Sequence, residues 1–87
     1  MVTVSDLETR LKTKYNSADD KIRVDDLSGG CGAKFLIAIG SNQFDGVSLL
    51  DRQRIVNDLI KDFMADIHAV QLKTWTLKQY DEKINTL

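Results

Sequence analysis

Thiol and imidazole groups are scarce in this sequence of 87 residues, which contains one cysteine, Cys31, and one histidine, His68. One cysteine cannot form an internal disulfide, so a reducing compartment is the default expectation. A tetrahedral site of the soft or borderline kind needs four ligands, and this chain can supply two. Any thiolate-rich metal site must therefore be completed by a second copy of the chain, another protein or a small thiol.

The chain also lacks proline, a clear excess of either charge and a long apolar segment. Its 12 basic and 13 acidic residues give a net charge of −1, which argues against nucleic-acid binding through bulk positive charge. The longest apolar run, residues 35–39, is far shorter than the roughly 20 residues of a membrane helix. The N-terminal segment has neither the pattern of a secretory signal nor the composition of a transit peptide, so we expect no membrane association.

Hydrophobic periodicity predicts one domain over residues 1–87, with residues 1–3 and 85–87 frayed. Ser5 and Glu8 fit a capping box at the start of the first helix, and Thr76 and Gln79 fit another at the last. The predicted order is α-β-β-α-β-α, with helices over 5–15, 48–67 and 76–84 and strands over 20–27, 33–41 and 68–74.

The second predicted helix lies between the second and third strands, and such a crossover makes those two strands parallel. The first two strands form an antiparallel hairpin with a loop of about seven residues, longer than usual. The fold class is therefore α/β (α+β), with a mixed three-stranded sheet and helices packed on it. The second strand is apolar on both faces and should be central, but the sequence leaves the strand order open.

Apolar residues at helical spacing predict the buried face of the second helix, and alternation predicts the face of the third strand. His68, Val70 and Leu72 should share one face of that strand. Trp75 and Tyr80 should seat the last helix on the sheet. The predicted stripe of the second helix comprises Leu49, Val56, Leu59, Ile60, Phe63 and Ile67, broadened by Ile55 and Met64.

The cysteine and the histidine also have ordinary structural interpretations. A lone cysteine is more often buried or incidental, although the glycines around Cys31 offer little apolar cover. A lone histidine such as His68 is more often a core-edge residue. A catalytic dyad of the two is disfavoured, because nothing marks an oxyanion hole or an orienting Asn or Asp. Residues 29–32 match the G-x-x-G loop of nucleic-acid-binding KH domains, but this loop joins two strands and carries a cysteine.

Two arginines, Arg52 and Arg54, lie at the start of the second predicted helix. Cations at this end oppose the helix dipole, and Asp51 and Asp58 can offset that effect. A solvated helix face is one interpretation, and contact with a carboxylate of a partner is the other. Both arginines are therefore candidate partner-binding residues.

Three stretches together resemble the BolA family over residues 7 to about 80. "SGGCG" before an aromatic-led strand resembles the cysteine-containing hairpin loop of its BolA2-like and BolA3-like branches. "FDGVSLLDRQRIVNDLI" resembles the family's F-x-G-x-x-L-x-x-R-H-R-x-V segment, and "IHAVQLKTWTLKQY" resembles its I-H-A-x-x-x-x-T-x-T-x-x-Q-W ending. The residues of "LLDRQRIVN" and "KTWTLKQY" are closer to those of the cytosolic and nuclear BolA2-like branch. Gln53 and Tyr80 depart from the His and Trp that many members have.

This resemblance implies a class II KH-like domain and a non-enzymatic adaptor in the cytoplasm and/or nucleus. It implies a heterodimer with a monothiol, CGFS-type glutaredoxin, in which a [2Fe–2S] cluster is shared with the glutaredoxin and glutathione. His68 and Cys31 match the family's cluster ligands, and Gly30 and Gly32 would let the loop bend toward the partner. A weak homodimer is possible, and the alternative function is a KH-like nucleic-acid-binding transcriptional regulator.

Overall fold

A mixed three-stranded sheet organises the part of the chain that the computed structural model describes, residues 1–29 and 32–87. Its strands are β1 (Lys21–Asp26), β2 (Lys34–Gly40) and β3 (Ala69–Trp75), in the order β1-β2-β3. β1 pairs with β2 antiparallel, and β2 pairs with β3 parallel, as the connections predict. The strand order that the sequence left open places the most apolar strand, β2, at the centre, where both of its faces are covered.

The α-helices are α1 (Val4–Lys12), α2 (Leu49–Ile60) and α3 (Leu77–Lys83). Short 3₁₀ segments at Asn42–Phe44 and Lys61–Asp66 connect α2 to the strands before and after it. The described elements follow the predicted order α-β-β-α-β-α, which confirms the α+β class. The capping box of Thr76 and Gln79 at α3 is also confirmed.

One face of the sheet packs against α1 and α2 and forms the core. Alternate residues of β2 point into it, as the period of two in a strand requires. The side chains that meet there are fully or almost fully buried and come from three elements: Leu7 and Leu11 of α1, Phe35, Ile37 and Ile39 of β2, and Val56 and Ile60 of α2.

The opposite face of the sheet is covered by α3 at the end where β2 finishes. Gly40 lies there against Tyr80, since a Cβ built on Gly40 would fall 2.6 Å from the Cβ of Tyr80. The rings of Trp75 and Tyr80 meet edge to face with centroids 5.9 Å apart, and Lys21 pairs with Asp81. The prediction that Trp75 and Tyr80 seat the last helix on the sheet is thus confirmed.

The N-terminus of α1 differs from the prediction. Thr3, not Ser5, is the N-cap, and its side chain accepts the N–H of Asp6 while Asp6 accepts the N–H of Thr3. Val2 is buried in the same core as Leu7 of α1, so residues 2 and 3 are held rather than frayed. The capping box at Thr3 is favoured over one at Ser5 because it lets Val2, the apolar residue before the cap, reach the core.

The second helix is shorter than its apolar stripe predicts. It ends at Ile60 and tightens into the 3₁₀ segment, where Arg10 of α1 donates to the Leu59 carbonyl at 3.0 Å and to the Asp62 carboxylate. The side chain of Arg10 thus satisfies the Leu59 carbonyl, which would have accepted a backbone N–H if the α-helix had continued. At the other end, Leu49 is 62% exposed, so its assignment to the buried stripe was wrong. Ile55 and Met64 also lie at the surface.

Tyr15 supplies a prediction about alkaline stability. The residue is 2% exposed, and its hydroxyl is buried with no hydrogen-bond partner in the described part of the chain. Burial, and secondarily the charge of Asp20, raise the pKa of Tyr15 from 10.0 to about 12. A folded-state pKa above the unfolded one means that stability is complete below pH 10 and is lost as the pH rises toward 12.

We expect the free energy of unfolding to fall by up to about 1.4 kcal/mol per pH unit in that window because of Tyr15. Tyr15→Phe should abolish this contribution and be close to neutral at pH 7, since the deleted hydroxyl has no partner. Urea unfolding at pH 8 and at about pH 11 measures both effects. Tyr80→Phe, the control, should keep the alkaline loss, and an identical pH dependence in Tyr15→Phe and the parent would contradict the assignment.

Candidate metal centre

The loop between β1 and β2 and the residue that precedes β3 meet at one end of the sheet. Parallel pairing places Lys34 opposite Ala69, so the residues before each strand, Ala33 and His68, become neighbours. The N–H of His68 donates to the carbonyl of Ala33 at 2.8 Å, and the N–H of Ala69 donates to the same carbonyl at 3.2 Å. These bonds therefore fix the backbone of His68 to the β1–β2 loop, the segment of the sequence that contains Cys31.

Gly32 packs directly against the His68 side chain. A Cβ at Gly32 would lie 3.1 Å from the Cβ of His68 and 3.9 Å from its Nδ1. Gly32 also has φ +104°, a backbone conformation that residues with a side chain rarely adopt. Glycine at this position therefore serves two purposes: it permits the turn, and it leaves the space that the imidazole occupies.

His68 itself is exposed and lies just outside the strand. The sequence predicts it as the first residue of β3, but β3 begins at Ala69, so that boundary was wrong by one residue. The imidazole thus lies exposed at the edge of the sheet where β3 begins. A neutral imidazole that is exposed and held at its backbone can serve as a metal ligand for a bound partner.

Ser28 closes the base of the loop. Its N–H donates to the Asp26 carboxylate at 2.8 Å, and its hydroxyl accepts the N–H of Lys34 at 2.9 Å. The hydrogen bonds from Ser28, side chain first and backbone second, hold the pKa of Asp26 below its usual value. Leu27 donates to the Lys34 carbonyl at 2.8 Å and completes the closure.

Two of the predicted site residues, Cys31 and Gly30, lie outside the described residues, so their roles remain predictions. Of the predicted metal and loop residues, the structure brings Gly32 and His68 together. Among residues 1–29 and 32–87, no three His, Cys, Asp or Glu side chains form a group that could hold a metal ion. A metal site built on His68 would therefore need ligands from beyond this described part.

Arg52, predicted to bind a partner, lies at the other end of β3 and makes contacts within the chain. Its Nε donates to the Val47 carbonyl at 2.8 Å, and its Nη1 donates to the Thr74 carbonyl and to Oε1 of Gln79, each at 3.1 Å. Thr74 is six residues beyond His68 along an extended segment, or about 20 Å at the usual rise. Arg52 is thus remote from the imidazole.

Arg54, the other arginine predicted to bind a partner, is on the solvent side of α2. Its side chain is 71% exposed, and its nearest carboxylate is Asp51, at 3.8 Å. An exposed pair of this length contributes little to stability. The guanidinium of Arg54 is therefore available at the surface, whereas that of Arg52 is held in place.

Residues 7–79 match the family described as BolA-like protein. This chain belongs to the BolA family. Among relatives, it is 40% identical to protein BOLA2 of Arabidopsis thaliana over 73 residues, which are 84% of this chain and 76% of that protein. It is 41% identical to BolA-like protein 2 of Saccharomyces cerevisiae over 78 residues, 86% of this chain and 65% of that protein, slightly less than two thirds of the relative's length. The BolA2-like resemblance is thereby confirmed.

A solved structure extends the similarity to three dimensions. The crystal structure of a bol-like protein from Babesia bovis superposes on this BolA protein with a TM-score of 0.82 and 43% identity, covering 97% of this chain and 95% of that one. The mixed sheet and its helices are thus those of BolA structures. In the described part of this BolA protein, no helix has the length and apolarity needed to cross a bilayer.

Sequence reasoning missed Ala33, whose carbonyl binds both His68 and Ala69. A signal for it was available: once the second and third strands are predicted to be parallel, the residues before them must lie side by side. Sequence reasoning also missed that Lys73 and Lys83 join Arg52 around one cavity. No local pattern gives that arrangement, because the three residues come from a helix, a strand and another helix.

Proposed function

We propose that this BolA protein is a non-enzymatic adaptor that binds a monothiol glutaredoxin and co-ligates a [2Fe–2S] cluster with it. The role would be in iron–sulfur cluster trafficking or iron regulation, in the cytoplasm and/or nucleus. Membership of the family supports the proposal, and one observation carries it: the cysteine-bearing loop and His68 meet through Gly32.

The metal-binding side chains of this protein fit a cluster that is shared with a partner rather than one held by this chain alone. A [2Fe–2S] cluster takes four ligands, usually thiolates, and histidine replaces cysteine in some centres. This chain has one thiol and one imidazole. We assign His68 and Cys31 as its two ligands, and the glutaredoxin thiolate and glutathione as the other two.

The residues around His68 would prepare it for this role. The Ala33 carbonyl fixes the backbone of His68. Because Gly32 has no side chain, it leaves the imidazole of His68 the space that it occupies. Because the imidazole is exposed, a partner can reach it without unfolding the sheet. A neutral imidazole in place of a thiolate reduces the negative charge around the irons, which suits a cluster that is to be passed on.

The test is co-expression with a monothiol glutaredoxin, followed by visible circular dichroism of the purified complex. We expect the parent complex to differ from the glutaredoxin homodimer, and His68→Ala to abolish the difference. Cys31→Ala should have a smaller effect. Since His68 is exposed, its removal should change the free energy of unfolding by no more than about 0.5 kcal/mol.

Gln71→Ala is the matched control, because Gln71 is an exposed residue of β3 close to His68 in sequence. It should retain the spectrum of the parent complex. If His68→Ala and the parent give the same spectrum, the assignment of His68 as a cluster ligand is wrong.

A further inference from the structure

A cationic cavity of about 370 Å³ lies at the end of β3 remote from His68. Its charged lining residues are Arg52 of α2, Lys73 of β3 and Lys83 of α3, and no acidic side chain of the described residues lines it. Three cations grouped around one concavity are unexpected in a chain with a net charge of −1. Such a concentration of one sign of charge favours an anionic ligand.

Arg52 has the geometry of a prepared anion receptor. Arg10, Arg23 and Arg54 each face a carboxylate, whereas Arg52 forms no ion pair within residues 1–29 and 32–87. Its Nε and Nη1 are held by neutral oxygens of Val47, Thr74 and Gln79, and within the same residues its Nη2 makes no hydrogen bond. A guanidinium fixed in this way offers its remaining N–H groups to a ligand at little entropic cost.

The wall of the cavity also contains an unsatisfied polar group. Thr74 lines the cavity and is 1% exposed, and its hydroxyl is buried with no hydrogen-bond partner in the described structure. Buried hydroxyls normally have a partner. Because that hydroxyl is shielded from solvent, the contact that Thr74 makes to the charged lining is its carbonyl, which accepts from Nη1 of Arg52.

The apolar surroundings of the cavity indicate which anion it fits. Leu49 lines it and is 62% exposed, and the adjacent Leu50 is 61% exposed. Leu49 beside three cations suits a ligand that carries both a carboxylate and an apolar side chain, and Leu72 and Trp75 add apolar lining. A nucleic-acid backbone presents phosphates and sugars to these residues and no aliphatic side chain.

We propose that this cavity binds an acidic peptide segment of a partner protein. A carboxylate of the segment is held by Arg52, Lys73 and Lys83, and an apolar side chain of the segment packs on Leu49. The planar guanidinium matches a carboxylate. The surface is separate from the proposed cluster site, so either one can fail without the other.

Trp75 provides the measurement, because it lines the cavity and is the one tryptophan of the chain. The probe is an eight-residue peptide of alternating leucine and glutamate, titrated into the full chain while tryptophan fluorescence is followed. Loss of a charged hydrogen-bonding group changes affinity by about tenfold or more. We expect that loss for Arg52→Gln and a several-fold loss for Lys73→Gln and for Lys83→Gln.

Arg54→Gln is the matched control, since it removes the same charge from the same helix outside the cavity. It should bind the peptide within about twofold of the parent. The two lysine variants keep the test decisive if Arg52→Gln fails to fold, because neither lysine makes the carbonyl contacts that Arg52 makes.

Three results would overturn the proposal. The first is a dissociation constant for the parent weaker than about 1 mM. The second is equal binding of a peptide in which glutamine replaces every glutamate. The third is tighter binding of a twelve-nucleotide single-stranded DNA than of the peptide, which would instead make the cavity a phosphate-binding surface.

Discussion

Gly40→Ala should lower the free energy of unfolding by about 1–3 kcal/mol, as over-packing in a filled site does. The added Cβ would lie 2.6 Å from the Cβ and 2.8 Å from the Cγ of Tyr80, well inside the 3.5–4.0 Å at which carbon atoms meet favourably. These Tyr80 atoms are next to the helix backbone, so a change of rotamer cannot remove the clash. Either α3 or the end of β2 must move.

Urea unfolding measures the loss, and the fluorescence of Trp75 reports the displacement of α3, because Trp75 packs on Tyr80. Gly29→Ala is the control for the same substitution in open space, since no atom of the described residues lies within 4 Å of a Cβ built there. It should change stability by no more than about 0.5 kcal/mol. A Gly40→Ala variant as stable as the parent would show that α3 does not depend on this close approach.

Gly32→Ala should displace the His68 side chain and cost about 1–3 kcal/mol of stability. The cost follows from φ +104°, which a residue with a Cβ adopts only under strain. The displacement follows from the 3.1 Å distance between the new Cβ and the Cβ of His68. Because the chain has one histidine, its ring signals in a proton NMR spectrum report the displacement unambiguously.

Gly46→Ala separates the two effects of Gly32→Ala. Gly46 also has a positive φ, +73°, but a Cβ built there has no neighbour within 4 Å in the part of the chain that the structure describes. It should lose stability for the same backbone reason and leave the His68 signals in place. If both variants shift the His68 signals equally, packing of Gly32 against the ring is not what positions it.

The second helix shows how far hydrophobic periodicity predicted the fold. Val56 and Ile60 are buried where the helical stripe placed them, because spacing alone decides which residues share a face. The stripe failed at Leu49, which is exposed, and beyond Ile60, where the helix stops. Both failures come from neighbours: none of the described elements covers Leu49, and Arg10 of α1 binds the carbonyl of Leu59 near the helix end.

For the candidate metal centre, the sequence predicted which residues take part but not how they are arranged. Ligand counting and the family resemblance pointed to His68 and Cys31. The contact between Gly32 and His68 could not be predicted from the sequence, because these residues meet only after β2 and β3 pair in parallel. Arg52 and Arg54 looked equivalent in sequence, yet one is held by three oxygens and the other faces solvent.

The sequence by itself determined the order of the elements along the chain, the most apolar strand and the single thiol and imidazole, because these depend on local pattern and composition. It also determined the family, through three motifs in order. Only the tertiary structure decided that the glycine loop lies against His68 and that three cations from three elements surround one cavity. Those arrangements depend on strand pairing and helix packing between residues far apart in the chain, which local patterns do not encode.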